Sequence, residues 1–347
     1  MKTLYVTSNQ NSAGKTTFCS AFGSLLQEES PKIVVIKPVS TSNRGDQDTD
    51  AEFYSSIFKE TSKKPSSIQL PQSSISKVAQ KKQQEIVQSI KDDVASLRKA
   101  GLSVVVEGLP THDENGDQIA LTQEIVKSLD CNVISITTFN QQAEKHASEL
   151  VSLFPKRVKG TIINNVSKYK NHHVNNQLIP SIESAGVQVL ASIPEHRYLM
   201  AKTVLELAKI VQGEIVQGKE YQDRLVEHIM IGGLVLGSGN EYFGKYSNKA
   251  VVVRGNRPDI QMAALAGDTS CLILTGGYLP TQYVEYEASE TDVPIICVKQ
   301  DTHAVTDSLN SIELTSPCSD LRKVSRFQAL LAEHSAPNML QDLANLT

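Results

Sequence analysis

The chain has 347 residues, of which 40% are hydrophobic and 21% charged, with 34 Lys and Arg against 38 Asp and Glu. A formal net charge of −4 supplies no basic footprint for a nucleic acid or a membrane surface, and no apolar run approaches the ~20 residues of a membrane span. Met1-Lys2-Thr3-Leu4 enters a strand pattern without the apolar stretch of a signal peptide, so the expectation is a cytoplasmic protein of roughly two domains. Five scattered cysteines (Cys19, Cys131, Cys271, Cys297, Cys318) show no zinc or disulfide spacing and read as reduced core residues.

In chain order, β-branched runs at 4–6, 33–36, 104–106, 133–136, 160–163 and 187–190 alternate with amphipathic stretches at 15–27, 78–99, 121–129, 141–153 and 201–211. Continuous apolar strands between helices predict a doubly wound, mostly parallel α/β sheet covered on both faces, here over residues 1–212. The stretch 61–76, rich in Ser, Lys, Pro and Gln, reads as a surface loop or lid. Gly213-Glu214-Ile215-Val216-Gln217-Gly218-Lys219 breaks the preceding helix, and a smaller α/β unit follows over 220–315. Its strands fall at 229–231, 251–253, 272–274 and 295–298, with helices after Pro258 and Thr302. Residues 316–347 read as a terminal helix and tail.

Chemistry concentrates after the first strand, in Ser8-Asn9-Gln10-Asn11-Ser12-Ala13-Gly14-Lys15-Thr16-Thr17. A Gly-Lys-Thr triplet at a strand-to-helix turn points backbone N–H groups and a helix N-terminus at a polyphosphate. Lys15 then reaches the β/γ oxygens and the Thr16 hydroxyl reaches Mg²⁺. Ser12, Ala13, Gly14, Lys15, Thr16 and Thr17 are the candidate nucleotide-holding residues, with Asn9 where the full pattern has glycine. Lys37-Pro38 closes the second strand, where a lysine either neutralises a transferring anion or is a solvated strand end. Glu107 ends the third long apolar run, a position suited to a Mg²⁺ partner. Asp50 is either a helix cap or a Mg²⁺ ligand, and Asp46-Gln47-Asp48-Thr49-Asp50 lacks the glycine and distal glutamate of an EF-hand. His112, His172 and His173 fit no zinc pattern and read as solvated.

Gly14-Lys15-Thr16, Lys37-Pro38, Asp50-Ala51, Glu107-Gly108, Gly160-Thr161-Ile162-Ile163-Asn164 and Ile193-Pro194 together resemble, in order and spacing, the dethiobiotin synthetase family of P-loop proteins over about residues 1 to 210. The resemblance implies ATP and Mg²⁺ as cofactors, Thr16, Asp50 and Glu107 on the metal, Lys15 on the phosphates and Lys37 on a phosphoryl or carbamate group. Those two lysines would be the catalytic pair, and Asn164 with Pro194 would line the adenine pocket.

Further on, Arg254-Gly255-Asn256-Arg257-Pro258-Asp259 and Thr275-Gly276-Gly277 resemble the DRTGG domain, with Asn256 in place of its aspartate. Two such strand-end turns with a fixed guanidinium form either an effector pocket for an anion or nucleotide or a pair of tight connections with an internal ion pair. A synthetase-like P-loop domain followed by this one is the layout of the amino-terminal regulatory half of long bacterial phosphotransacetylases. With no acetyltransferase domain following, the resemblance implies a stand-alone form of that half and not a phosphate acetyltransferase. It also implies a homo-oligomer.

The leading functional expectation is a Mg-ATP-binding regulatory or sensor protein with a small-molecule effector. The alternatives are an ATP-dependent ligase acting on a carboxylate or amine and a degenerate P-loop scaffold, so ATPase or ligase activity stays open. Glu107-Gly108-Leu109-Pro110 in place of the synthetases' glycine-rich run weighs against the ligase, because binding needs only loop amides, Lys15 and a metal, whereas transfer needs an acceptor site as well.

Overall fold

Leu4-Tyr5-Val6 and Val104-Val105-Val106 are apolar on both faces of an extended chain, so only a sheet covered on both sides can bury them. In the computed structural model, which describes residues 3–29, 32–41, 49–58, 68–70, 72–113, 115–233, 239–310, 320–337 and 339–344, all six of these residues are fully buried. They belong to a six-stranded sheet of β1 (Thr3–Ser8), β2 (Ile33–Ile36), β3 (Ser103–Pro110), β4 (Asn132–Thr138), β5 (Val158–Val166) and β6 (Val189–Pro194). The strand order is β2–β3–β1–β4–β5–β6, with every pairing parallel. The protein is an α/β chain, and this layer is parallel throughout.

The order reverses around β1, and in such sheets the crevice outside the strands' carboxyl ends at that switch point receives ligands. Helices α1 (Lys15–Glu29), α2 (Thr49–Ile57), α3 (Gln80–Lys99), α4 (Ala120–Leu129) and α5 (Ala143–Leu153) connect the strands. The apolar faces are set by simple periodicity: α3 buries Ile86, Ile90 and Val94 at four-residue steps.

The 61–76 stretch is less irregular than its composition implies. Residues 61–67 lie outside the described ones, but Ile68–Gln69 pairs in parallel with Val39–Ser40 and Gln72–Lys77 forms a 3₁₀ turn. Leu70 and Ile75, both buried, supply the apolar anchors that the surrounding polar residues obscure.

The chain divides into two compact units, Met1–Glu195 with Pro317–Thr347, and His196–Ser316. This division falls ahead of the expected boundary at 212, because α6 (Val204–Ile210) places Val204, Leu207 and Ala208 in one core with Ala250, Val252, Cys271, Ile273 and Ile296. Periodicity reveals that a helix has an apolar face but not which sheet receives it. The second unit holds β7 (Glu214–Gln217), β8 (His228–Gly232), β9 (Lys249–Arg254), β10 (Thr269–Thr275) and β11 (Ile295–Cys297), in the order β7–β11–β10–β9–β8. All pairings there are parallel except that of β7 with β11. Helices α7 (Pro258–Leu265), α8 (Gln282–Glu290) and α9 (Thr302–Asn310) complete it.

The terminal helix α10 (Leu321–His334) belongs to the first unit. It buries Val324, Phe327, Leu330 and Leu331, and the Gln328 amide donates to the Ala21 carbonyl of α1 at 3.3 Å. Beyond it, the Ala336 N–H donates to Leu190 of β6 at 2.8 Å. Cys19, Cys131, Cys271 and Cys297 are free thiols, and Cys318 lies outside the described residues.

Because Phe327 is 2% exposed, Phe327→Ala should lower the unfolding free energy by about 3 kcal/mol or more in denaturant titrations. A loss below ~1 kcal/mol would mean that α10 is not part of this core.

Candidate functional site

The turn between β1 and α1 is held in shape by its neighbours. Ser12 and Gly14 adopt left-handed backbone, with φ of 56° and 98°. Gly14 is required twice over, since a Cβ there would also lie 2.5 Å from the Asn164 amide nitrogen. That amide donates to the Ala13 carbonyl at 2.9 Å, clamping the loop from the end of β5. Asn9, 4% exposed, accepts the Thr138 N–H of β4 at 3.3 Å and places its amide nitrogen 3.1 Å from His146 Nδ1 of α5. Thus the residue in the place of the pattern's first glycine is a buried fastening.

Two lysines and two carboxylates converge beside this loop. Lys15 Nζ donates to Ser8 Oγ at 2.9 Å. The Thr16 hydroxyl lies 3.0 Å from Glu107 Oε1 and 3.4 Å from Asp50 Oδ2. Lys37 Nζ contacts Asp50 at 2.5 Å and Glu107 at 4.0 Å, and the Tyr54 hydroxyl donates to the other Glu107 oxygen. The strand order explains the gathering: β3 lies between β1 and β2, so Glu107 comes to the loop on one side and to Lys37 on the other. Asp50 sits inside the first turn of α2 and faces Thr16 and Lys37, which removes the helix-cap alternative. Lys37 is not a solvated strand end.

Burial dominates the electrostatics. It pushes the Glu107 carboxyl above the usual range, against the attraction of Lys37, and it pulls Lys15 below the usual ammonium range, against the attraction of Glu107. Burial, followed by the charge of Glu107, drives the Tyr54 hydroxyl and the Cys19 thiol well up. Among the described residues, no group of three or more His, Cys, Asp or Glu side chains gathers as a metal cage. The donors present, one hydroxyl and two carboxylates, are hard oxygens of the kind that share Mg²⁺ with water and phosphate.

Several placements differ from the sequence reading. Asn164 faces the loop itself, while Pro194 at the end of β6 lines a cavity of about 490 Å³ with Asn171, Asn175, Glu183, Ser192 and His334, and no loop residue borders it. Equal positions on neighbouring strands do not fix which side of an edge strand a residue serves. His112 is not simply solvated: Nδ1 lies 3.0 Å from Thr111 Oγ1 and Nε2 3.7 Å from Glu149. His172 and His173 are exposed. Sequence reasoning does not single out Tyr54, Cys19 or His146 as site residues; for Tyr54 a signal exists, since it stands four residues after Asp50 on one helix face.

In the second unit, the two glycine turns interlock. The Gly255 N–H donates to the Thr275 carbonyl at 2.9 Å, the Gly276 N–H to Gln300 at 2.8 Å and the Gly277 N–H to Val298 at 2.9 Å. Thr275 Oγ1 pairs with Thr302 Oγ1 at 2.8 Å. Arg257, beside Asn256, makes a two-point pair with Asp259, at 2.9 and 2.7 Å, the internal ion pair of the structural alternative. Tyr278 packs over the glycines, and a Cβ on Gly255 would lie 2.5 Å from its Cβ.

Residues 2–203, more than half of the chain, match the family model described as AAA domain. The chain belongs to this AAA-domain family. Residues 206–312 match the DRTGG domain, so the two family matches meet close to the division between the compact units. The chain is similar to the phosphate acetyltransferases of Haemophilus influenzae, 21% identical and covering 92% of this chain and 49% of that one, and of Salmonella typhimurium, 21% identical and covering 96% and 51%. It thus spans about half the length of these curated relatives. Among solved structures, it is similar to the MinD cell division protein of Aquifex aeolicus, at 15% identity and a TM-score of 0.38 over 57% of this chain and 84% of that one.

Two predictions follow from these geometries. A carboxyl with a raised folded-state pKa holds more proton than its unfolded counterpart between the two values, so stability falls as pH rises through that window and levels above it. Unfolding measured from pH 4 to 8 should show this fall, and Glu107→Gln should lack it; parallel curves would mean that Glu107 is not desolvated. In the second unit, Gly255→Ala should lower the thermal midpoint by its overlap with Tyr278, whereas Arg257→Ala, in a part-exposed pair between residues two apart, should move it far less.

Proposed function

We propose that this chain is a Mg-ATP-binding regulatory protein in which the first unit holds the nucleotide and the DRTGG unit receives an effector. The observation that carries the reading is the Thr16 hydroxyl set between Glu107 and Asp50, one residue after a buried lysine on a left-handed glycine turn. Ser12, Ala13, Gly14 and Thr17 would offer backbone amides to the phosphates, and Lys15 would leave Ser8 for a β or γ oxygen.

Magnesium fits the site because its carboxylates already bracket a cation, the Lys37 ammonium. Thr16, Asp50 and Glu107 would hold the ion, which when bound neutralises phosphate charge. Lys37, released from Asp50, would then face the terminal phosphate as a positive charge at the β2 end. Asn164 supports the reading as the clamp on Ala13, and its side of the sheet is where a base would lie.

Similarity to about half the length of phosphate acetyltransferases supports kinship with a regulatory portion of those enzymes. The interlocked Gly255-Asn256-Arg257 and Thr275-Gly276-Gly277 turns are the effector surface in this proposal, with the Arg257 guanidinium able to exchange Asp259 for an anionic ligand. Assembly into a homo-oligomer and a cytoplasmic setting belong to the same proposal. Among the described residues, no helix is long and apolar enough to cross a membrane.

At Mg-ATP concentrations about 100-fold above Kd, binding stabilises the folded form by about 2.7 kcal/mol. The wild-type thermal midpoint should therefore rise with added Mg-ATP, and Lys15→Ala should abolish the rise. An unchanged shift in that variant would remove the phosphate loop from the binding site.

A further inference from the structure

Asn9 has two partners, and together they fix the protonation state of a histidine. The Thr138 backbone N–H is a donor only, so the Asn9 atom facing it at 3.3 Å is the carbonyl oxygen. The amide nitrogen then faces His146 Nδ1 at 3.1 Å. An amide N–H needs an acceptor, and Nδ1 accepts only when the imidazole is neutral with its proton on Nε2.

Resting on the nucleotide-binding reading above, we propose that His146 and Asn9 form a protonation-sensitive latch on the phosphate loop. The loop keeps its binding form while His146 is neutral and loses affinity for nucleotide when Nδ1 takes a proton. Asn9 opens the turn that ends at Gly14, so its fastening to β4 and α5 sets where the loop starts. A proton on Nδ1 turns the acceptor into a donor directed at an N–H, and Asn9 cannot rotate to meet it without giving up Thr138.

The surroundings favour the neutral form at ordinary pH. Burial holds the His146 imidazole below its usual range, opposed by Glu149 and assisted by His112 and Lys145. These are the titratable groups that face it: Glu149 and Lys145 from its own helix, and His112 from the segment after β3, with ring centres 6.0 Å apart. The loop side presents the uncharged Asn9. Glu149 also lies 3.7 Å from His112 Nε2 and 3.8 Å from Lys145 Nζ, so its charge is divided among three groups. His146 acts here through Asn9 and is a positioning residue.

Two measurements on the full chain test the latch. Long-range ¹⁵N–¹H spectra at pH 7.5 without nucleotide should show His146 as the Nε2–H tautomer; an Nδ1–H or charged ring would overturn the proposal. Calorimetric Kd values for Mg-ATP at pH 7.5 and 5.5 should then be compared between the wild type and His146→Asn, whose side-chain oxygen can accept in place of Nδ1 but takes no proton. The pH-dependent loss of affinity should be about fivefold greater in the wild type, the scale of one hydrogen bond. The comparison cancels titration of the ATP phosphates and of Glu107. Equal losses in the two proteins would refute the latch and leave the nucleotide site standing. Absence of binding in both at either pH would refute the phosphate-loop reading and the latch with it.

Discussion

A carboxylate with only 3% exposure, such as Glu107, cannot remain charged inside a sheet without positive or hydrogen-bonding partners. The first unit provides four of them from three separate segments: Thr16 and, through the field, Lys15 from α1, Lys37 from the end of β2 and Tyr54 from α2. Each partner is itself costly to bury alone. The cluster is therefore mutually dependent, and its balance holds the loop, β2 and α2 in one arrangement. A polyphosphate with its metal would enter this arrangement by exchanging charges: phosphate for the carboxylates around the lysines, and magnesium for the lysine between the carboxylates.

Much of this was legible in the sequence because it depends on local chemistry. Short apolar runs such as Ile33-Val34-Val35-Ile36 and Val104-Val105-Val106, spaced by amphipathic stretches, point to strands of a covered parallel sheet, and Gly-Lys-Thr at a strand-to-helix turn has few other uses. Glu107 and Lys37 were readable from their places at the carboxyl ends of strands. The convergence of these residues follows from the strand order β2–β3–β1, which the sequence pattern does not state but the right-handed crossover rule makes natural.

What escaped the sequence lies in long-range choices between equivalent partners. The helix at 204–210 has an apolar face that either sheet could bury, and it serves the second unit. The terminal helix returns to α1 and β6, which no local signal announces. Asn9 looked like a defect in a glycine motif, yet its two hydrogen bonds depend on Thr138 and His146, more than a hundred residues away. From sequence alone Arg257 stays open between an effector contact and an internal pair, and the structure pairs it with Asp259, two residues on.

The most direct measurement of the central claim is a calorimetric titration of the wild-type chain with ATP, with and without magnesium. The account predicts saturable one-to-one binding that weakens about tenfold or more when the metal is chelated, because Asp50 and Glu107 then face the phosphates uncompensated. Equal affinity in both conditions, or no heat at millimolar ATP, would contradict it.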